Sequence, residues 1–298
     1  MVRELKAGAD SCNASRVAVR MEHVECRRGE DRVLSDLSLT IPEGQWVCIA
    51  GRNGSGKSTL VRLMNGLLPH SEGRIVIDGL KLTPHTCPEI RRRVGMVFAN
   101  PDDQFVGLTV EDDIAFGLEN LCLRREEMQE RLERYAERLG IKHLLRRHPA
   151  TLSGGQKQRA ALAAVLAMEP RIVIVDEGTS MLDERSKQEL LGIMQEMRAS
   201  GAYTLISVTH DVEEMAQADR MLVIHDGGIV ADGSPRDLLG QDELLQMCRL
   251  KPPYPLLLSR ELRQRGIEIG DCLSESEVAE ALWAYHLNGY RIATGTGG

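Results

Sequence analysis

A chain of 298 residues exceeds the length that one hydrophobic core usually serves, so one large α/β domain with a smaller appendage is the expected layout. Its 44 acidic and 37 basic residues, net charge −7, and its 3% aromatic content argue against nucleic acid as a partner, which needs clustered Lys and Arg and rings for bases to stack on. The seven cysteines (Cys12, Cys26, Cys48, Cys87, Cys122, Cys248, Cys272) are odd in number and never spaced C-x-x-C, which suggests neither a disulfide framework nor a zinc site and points to reduced thiols in a cytosolic compartment.

Residues 1–16 form an N-terminal extension whose opening Met1-Val2-Arg3-Glu4-Leu5-Lys6 leads into no apolar segment. No stretch approaches the ~20 apolar residues that cross a bilayer, so a soluble chain is expected, one that serves a membrane only by docking on a spanning partner. From 17 to 50, apolar and polar positions alternate around Val33 to Leu39, with turn chemistry at Gly29 and Pro42-Glu43-Gly44; short antiparallel strands are predicted. Trp46-Val47-Cys48-Ile49-Ala50 reads as a buried strand feeding a helix over Lys57 to Leu68. Between Arg124 and Gly140, Met128, Leu132, Tyr135 and Leu139 recur at helical spacing, part of a helical subdomain expected over about 100–165.

A further helix is predicted from Ser153 to Met168, and the β-branched runs Arg171 to Asp176 and Thr204 to Val208 read as parallel strands covered on both faces. Asp226-Gly227 marks a hairpin. After a boundary near 240, Lys251-Pro252-Pro253-Tyr254-Pro255 interrupts regular structure and two helical patterns follow, Leu256 to Arg265 and Ser274 to Trp283, within an extension over 241–287. The Gly- and Thr-rich tail 288–298 is expected to be disordered.

Gly51-Arg52-Asn53-Gly54-Ser55-Gly56-Lys57-Ser58 fits the P-loop pattern G-x-x-x-x-G-K-[ST], whose backbone N–H groups face phosphate oxygens while the Lys supplies charge and the Ser a Mg²⁺ contact. ATP-binding candidates are therefore Gly51, Asn53, Gly54, Ser55, Gly56, Lys57, Ser58 and Thr59, on a helix N-terminus whose partial positive charge favours anions. Asp176, ending an apolar strand, is placed to hold Mg²⁺ with Ser58, and Glu177 beside it is the candidate general base for the water attacking the γ-phosphate. Leu152-Ser153-Gly154-Gly155-Gln156 opens a helix with Ser153 as N-cap and two glycines that let backbone N–H groups approach an anion.

Taken in that order, these motifs resemble the ATP-binding subunits of ABC transporters over about residues 17–235. The resemblance implies a P-loop NTPase of ABC type: an α/β core (17–240) with an antiparallel β subdomain, a helical signature subdomain and a small C-terminal helical extension. It implies that two such domains sandwich ATP head to tail, so that Lys57, Ser58 and Thr59 act on one nucleotide while Ser153, Gly154, Gly155 and Gln156 serve the partner's. Ser180-Met181-Leu182-Asp183 is similar to the D-loop, and His210 to the switch histidine that contacts the γ-phosphate. Two positions depart from the family pattern. Ala99 stands where the Q-loop usually has Gln, with Gln104 as a possible substitute, and Arg28 lies where an aromatic usually stacks on adenine.

Asn100 to Gly107, Thr109 to Asn120 and the D-loop version Thr179-Ser180-Met181-Leu182-Asp183 resemble the ATPases of energy-coupling factor (ECF) transporters, importers of vitamins or transition-metal ions. That resemblance implies a heterodimer with a paralogous ATPase, dimerisation through the C-terminal helices, an integral membrane scaffold with a substrate-binding membrane subunit, and a place at the cytoplasmic face of the membrane. The alternatives are a subunit of a conventional ABC transporter, told apart by its co-purifying membrane partner, and a soluble ABC ATPase acting on nucleic acid or the ribosome. The latter usually carries a long insertion or two cassettes, and this chain shows neither.

Overall fold

The computed structural model describes residues 16–294, with side chains to 287; all of the expected N-terminal extension but Arg16, and residues 295–298 of the expected tail, lie outside the described residues. Two sheets organise the chain. The antiparallel sheet runs β2 (Asp31–Pro42), β1 (Val17–Arg28), β4 (Glu72–Ile77), β5 (Leu80–Lys81). The strands β1 and β2 are 12 residues each, longer than the short strands expected, because bulges between Met21 and Cys26 absorb the breaks in alternation instead of ending the pair.

The second sheet has the order β10 (Gly228–Gly233), β9 (Arg220–His225), β3 (Trp46–Gly51), β8 (Thr204–Val208), β7 (Ile172–Asp176), β6 (Val94–Val97). All its neighbours are parallel except the β9–β10 hairpin, which turns at Asp226 (φ 46°) and Gly227 (φ 77°) as its Asp-Gly sequence predicts. In β3, β7 and β8 every residue is buried, as expected of strands covered on both faces.

One core fills the space between this sheet and its outer helices, and a second joins its other face to the antiparallel sheet. The helices α3 (Val110–Glu119), α4 (Arg125–Arg138) and α5 (Gly154–Ala167) pack on one another beside the first core. The helices α8 (Pro235–Leu239) and α9 (Asp242–Cys248) insert Leu238, Leu239, Leu244, Leu245 and Cys248 into that same core. Only from α10 (Tyr254–Gln264) and α11 (Glu275–Thr294) does a separate small core form, around Ile269, Cys272 and Val278.

Two helix ends differ from expectation. The P-loop helix α1 (Lys57–Met64) stops short of Leu68 because Asn65 caps it, Gly66 turns left-handed at φ +65°, and the Leu67 N–H returns 2.9 Å to the Arg62 carbonyl, a Schellman closure. Helix α11 continues to Thr294, into the tail expected to be disordered, since one interior glycine, Gly289, costs only ~1 kcal/mol and does not end a helix. No described helix is long and apolar enough to cross a membrane.

Candidate functional site

Parallel pairing of β3 with β8 and of β8 with β7 brings three strand ends to one edge: Gly51 and the P-loop, Thr209-His210, and Asp176-Glu177. Ligands of open α/β sheets bind at such carboxyl edges. Gly51 at φ +145° leads the chain over β9 so tightly that a Cβ there would stand 2.1 Å from the Ile224 carbonyl oxygen, a place only glycine fits. Gly56, the left-handed N-cap of α1, has no side chain with which to cap the helix, so the N–H groups of the first turn are left to a ligand.

The Lys57 ammonium, buried, donates to the Gly51 and Arg52 carbonyls at 2.9 and 3.0 Å, and burial holds its pKa below the ordinary value against the pull of Glu177 and Asp176. The Ser58 hydroxyl donates 3.0 Å to Asp176 Oδ1. Burial raises the Asp176 carboxyl, opposed by that hydrogen bond and by the charge of Arg62. Ser55 Oγ is buried without a hydrogen-bond partner, an orphan donor inside the loop.

Glu177 adopts φ +53°, unusual for a non-glycine residue, and three hydrogen bonds hold it there: its N–H donates 2.8 Å to the Val208 carbonyl, and its own carbonyl accepts from Ser180 N at 3.2 Å and Ser180 Oγ at 2.8 Å. The result aims Oε1 at His210 Nε2, 3.4 Å away. Burial, then the charge of Lys57, lower the His210 pKa while Glu177 raises it; the net shift is downward, so the ring is neutral at pH 7.

The signature residues lie elsewhere. Ser153 caps α5, accepting from Gln156 N at 3.4 Å while the Gln156 side chain returns to Ser153 N at 3.1 Å, a reciprocal capping box. Gly154 faces the Met181 carbonyl, and Gly155 lies so close to Ser186 that a Cβ would meet its hydroxyl at 2.4 Å. Asp183 caps α6 (Glu184–Ser200) through Ser186 N at 2.8 Å, which holds its carboxyl below the usual range. Among the described residues, no hydrogen bond of 153–156 reaches the P-loop of the same chain.

Gln104, the candidate for the role of the glutamine missing at Ala99, is bonded within its own chain. Its Oε1 accepts from Phe98 N at 3.3 Å and its Nε2 donates to the Ala161 carbonyl at 3.2 Å, so both ends of the amide tie the loop to α5. Arg28 stands exposed at the β1–β2 tip with no bonding partner among the described residues; the neighbouring segment that touches the P-loop is Val33-Leu34, packed on Gly56.

A buried group absent from the sequence reading is Glu214, on α7 (Val212–Gln217) just after His210. It is 1% exposed, accepts 2.8 Å from Thr179 Oγ1 at the start of the D-loop, and leaves Oε1 without a partner. Burial pushes its carboxyl up to about 7, against the lowering influence of the Thr179, Ser207 and Thr209 hydroxyls and with the help of Asp211. The folded chain therefore keeps this proton to about pH 7 whereas an unfolded carboxyl releases it near 4.5, so the group's contribution to stability declines as pH rises between those values. Glu214→Gln is expected to raise the thermal midpoint above pH 7 and to leave it nearly unchanged near pH 4.5. Unfolding curves across that range check the sign; an equal shift at both ends would contradict it.

A profile of the ABC transporter family matches residues 34–180. The energy-coupling factor transporter ATP-binding protein EcfA1 of Lactiplantibacillus plantarum is 46% identical over 256 residues, 86% of this chain and 91% of that protein. EcfA1 of Streptococcus pneumoniae serotype 2 is 48% identical over 251 residues, 84% and 91%. Among solved structures, CbiO1 from Clostridium perfringens, part of the ABC transporter complex CbiONQ, superposes with a TM-score of 0.70 at 31% identity over 78% of this chain and 94% of that one. A dimeric ATP-binding cassette in a post-hydrolysis state bound to ADP and Pi gives 0.66 at 27% identity over 73% and 99%. With the P-loop, the acidic strand end and the capped signature helix all in place on an ABC ATPase fold, the chain belongs to the energy-coupling factor transporter ATP-binding proteins of the ABC family, ATPase subunits that power a transporter.

Proposed function

We propose that two such domains close on ATP head to tail, and that opening after hydrolysis moves an integral membrane scaffold that imports a vitamin or a transition-metal ion chosen by a separate membrane subunit. The observation that carries this reading is the division of the site: P-loop, Asp176, Glu177 and His210 share one sheet edge, while Ser153 to Gln156 of the same chain turn to α6 and away from it. A second chain must then complete the pocket. The resemblance to one of two paralogous ATPases favours a heterodimer at the cytoplasmic face of the membrane.

In that pocket Lys57 and the N–H groups of 51–59 hold the phosphates, Ser55 Oγ gains its missing partner, His210 meets the γ-phosphate and Glu177 accepts a proton from the attacking water. Ser58 and Asp176 fit Mg²⁺, since both are hard oxygen donors already 3.0 Å apart and Mg²⁺ takes one or two such ligands plus phosphate and water. When bound, the ion neutralises charge on the phosphate oxygens. Arg28 stacks on adenine through its guanidinium plane. The division of the chain that best fits the packing is an ATPase domain to about residue 250 and a dimerisation module beyond it, where Tyr254, Leu257, Trp283 and Leu287 leave an apolar face exposed.

The membrane scaffold docks on a groove of about 250 Å³ between β6 and the helices α3 and α5, lined by Phe105, Val106, Phe116 and Met168. Its rim exposes Val106 (70%) and Phe116 (54%), while the buried Asp113 carboxylate accepts from Val106 N and Gly107 N at 2.8 and 2.9 Å and keeps the rim fixed. Phe116→Asp should leave ATP binding unchanged and abolish co-purification with the membrane complex; retention of the full complex would remove this groove from the reading.

A further inference from the structure

The end of α9 comes back to the ATP site. A cavity of about 230 Å³ is lined by Arg52 and Asn53 of the P-loop, His210, and Cys248 and Arg249 from the C-terminal part of the chain. Cys248 is 3% exposed and close enough to Lys57 for the two to influence each other's charge, and Leu244 and Leu245 anchor the same helix in the main core.

Arg249 is unusual in two respects. It caps α9 in the left-handed region (φ 55°, ψ 34°), a position where glycine is the relaxed choice and a residue with a Cβ is strained. It also lacks a carboxylate. From Arg236 to Arg265 the other arginines are all paired, Arg236 with Glu277, Arg260 with Asp242, Arg263 with Asp271 and Arg265 with Glu261, whereas the Arg249 backbone N–H donates to the Gln246 carbonyl at 3.1 Å and its guanidinium, exposed beside the P-loop, has no hydrogen bond or ion pair among the described residues. A strained cap carrying an unneutralised guanidinium at a phosphate site suits an anion.

We propose that Arg249 reads the γ-phosphate: the C-terminal segment supplies, from the same chain, an arginine that favours ATP over ADP. The inference rests on the P-loop reading above. Arginines supplied in cis to a γ-phosphate are known chemistry in other nucleotide hydrolases. The cavity it lines is shared with Asn53 and with His210, the residue expected to meet the γ-phosphate, and the P-loop helix N-terminus is left to the remaining phosphates.

The test is equilibrium binding of ATP and of ADP, each with Mg²⁺, to the full-length chain, its Arg249→Gly variant and its Arg249→Lys variant, with thermal unfolding alongside. Arg249→Gly relaxes the left-handed cap, so its thermal midpoint should stay level or rise, while ATP affinity falls about tenfold and ADP affinity stays within about twofold. Arg249→Lys should recover part of the ATP preference. An unchanged ATP-to-ADP ratio in Arg249→Gly overturns the proposal, as does a ratio that is unchanged while ATP-driven dimerisation alone is lost, which would assign the arginine to the partner's surface. A wild-type chain that binds neither nucleotide overturns the P-loop reading itself.

Discussion

Glu177→Gln should keep ATP binding intact and lower turnover by about 10²–10⁴, the usual loss on removing a general base. The substitution is isosteric, and what aims the side chain is backbone: the left-handed φ of +53° and the hydrogen bonds to Val208 and Ser180 survive it. The His210 contact at 3.4 Å can also survive, with the amide oxygen in place of Oε1. Only the capacity to take a proton is lost. The dimer should then persist on unhydrolysed ATP, which size-exclusion chromatography with ATP reads as a lasting shift to twice the mass. Undiminished phosphate release by this variant would remove Glu177 from the chemistry.

Ser153→Arg should abolish hydrolysis by the assembled dimer and leave nucleotide binding to the variant chain's own P-loop untouched. The hydroxyl is exposed at the tip of α5, and its loss as an N-cap costs only about 1 kcal/mol, offset in part by Gln156, whose side chain still reaches the residue-153 N–H. Folding is therefore a minor concern. The large effect comes from bulk and charge set where the partner's γ-phosphate must arrive, and removing one oxyanion-type donor alone typically costs ~10²–10³ in rate. Photolabelling with an ATP analogue measures binding and phosphate release measures turnover. A variant complex with ordinary turnover would place the signature helix outside the catalytic pocket.

Much of the site was legible because its parts are local. The P-loop octapeptide, the Ser153 capping box and the Asp226-Gly227 hairpin each declare themselves within eight residues, and each folds as its spacing implies. The approach of His210 to Glu177 was less direct, since it depends on the parallel register that sets Asp176 against Val208. The surroundings of Gln104 were not legible because its partners are set by tertiary packing: its Nε2 donates to the carbonyl of Ala161, 57 residues on, and its Oε1 accepts from Phe98 N. Glu214 was hidden for a related reason. Beside Glu213, which ion-pairs with Lys187 at 2.7 Å, nothing in the sequence marks it as the one turned inward. Arg249 fell in the predicted C-terminal extension, and only the docking of α9 on the main core carries it to the P-loop. At the chain's end the helix limits depended on a weak breaker, Gly289, whose cost of ~1 kcal/mol is too small to stop a helix.

The shared pocket is tested most directly by turnover per chain, measured for the isolated chain diluted to a monomer and for the complex purified from membranes. If each site borrows Ser153 to Gln156 from a second chain, the monomer should bind ATP yet hydrolyse it at least about 10²-fold more slowly than the complex, because it lacks the donors that stabilise the transferring phosphoryl group. Equal turnover per chain, independent of concentration, would contradict the account.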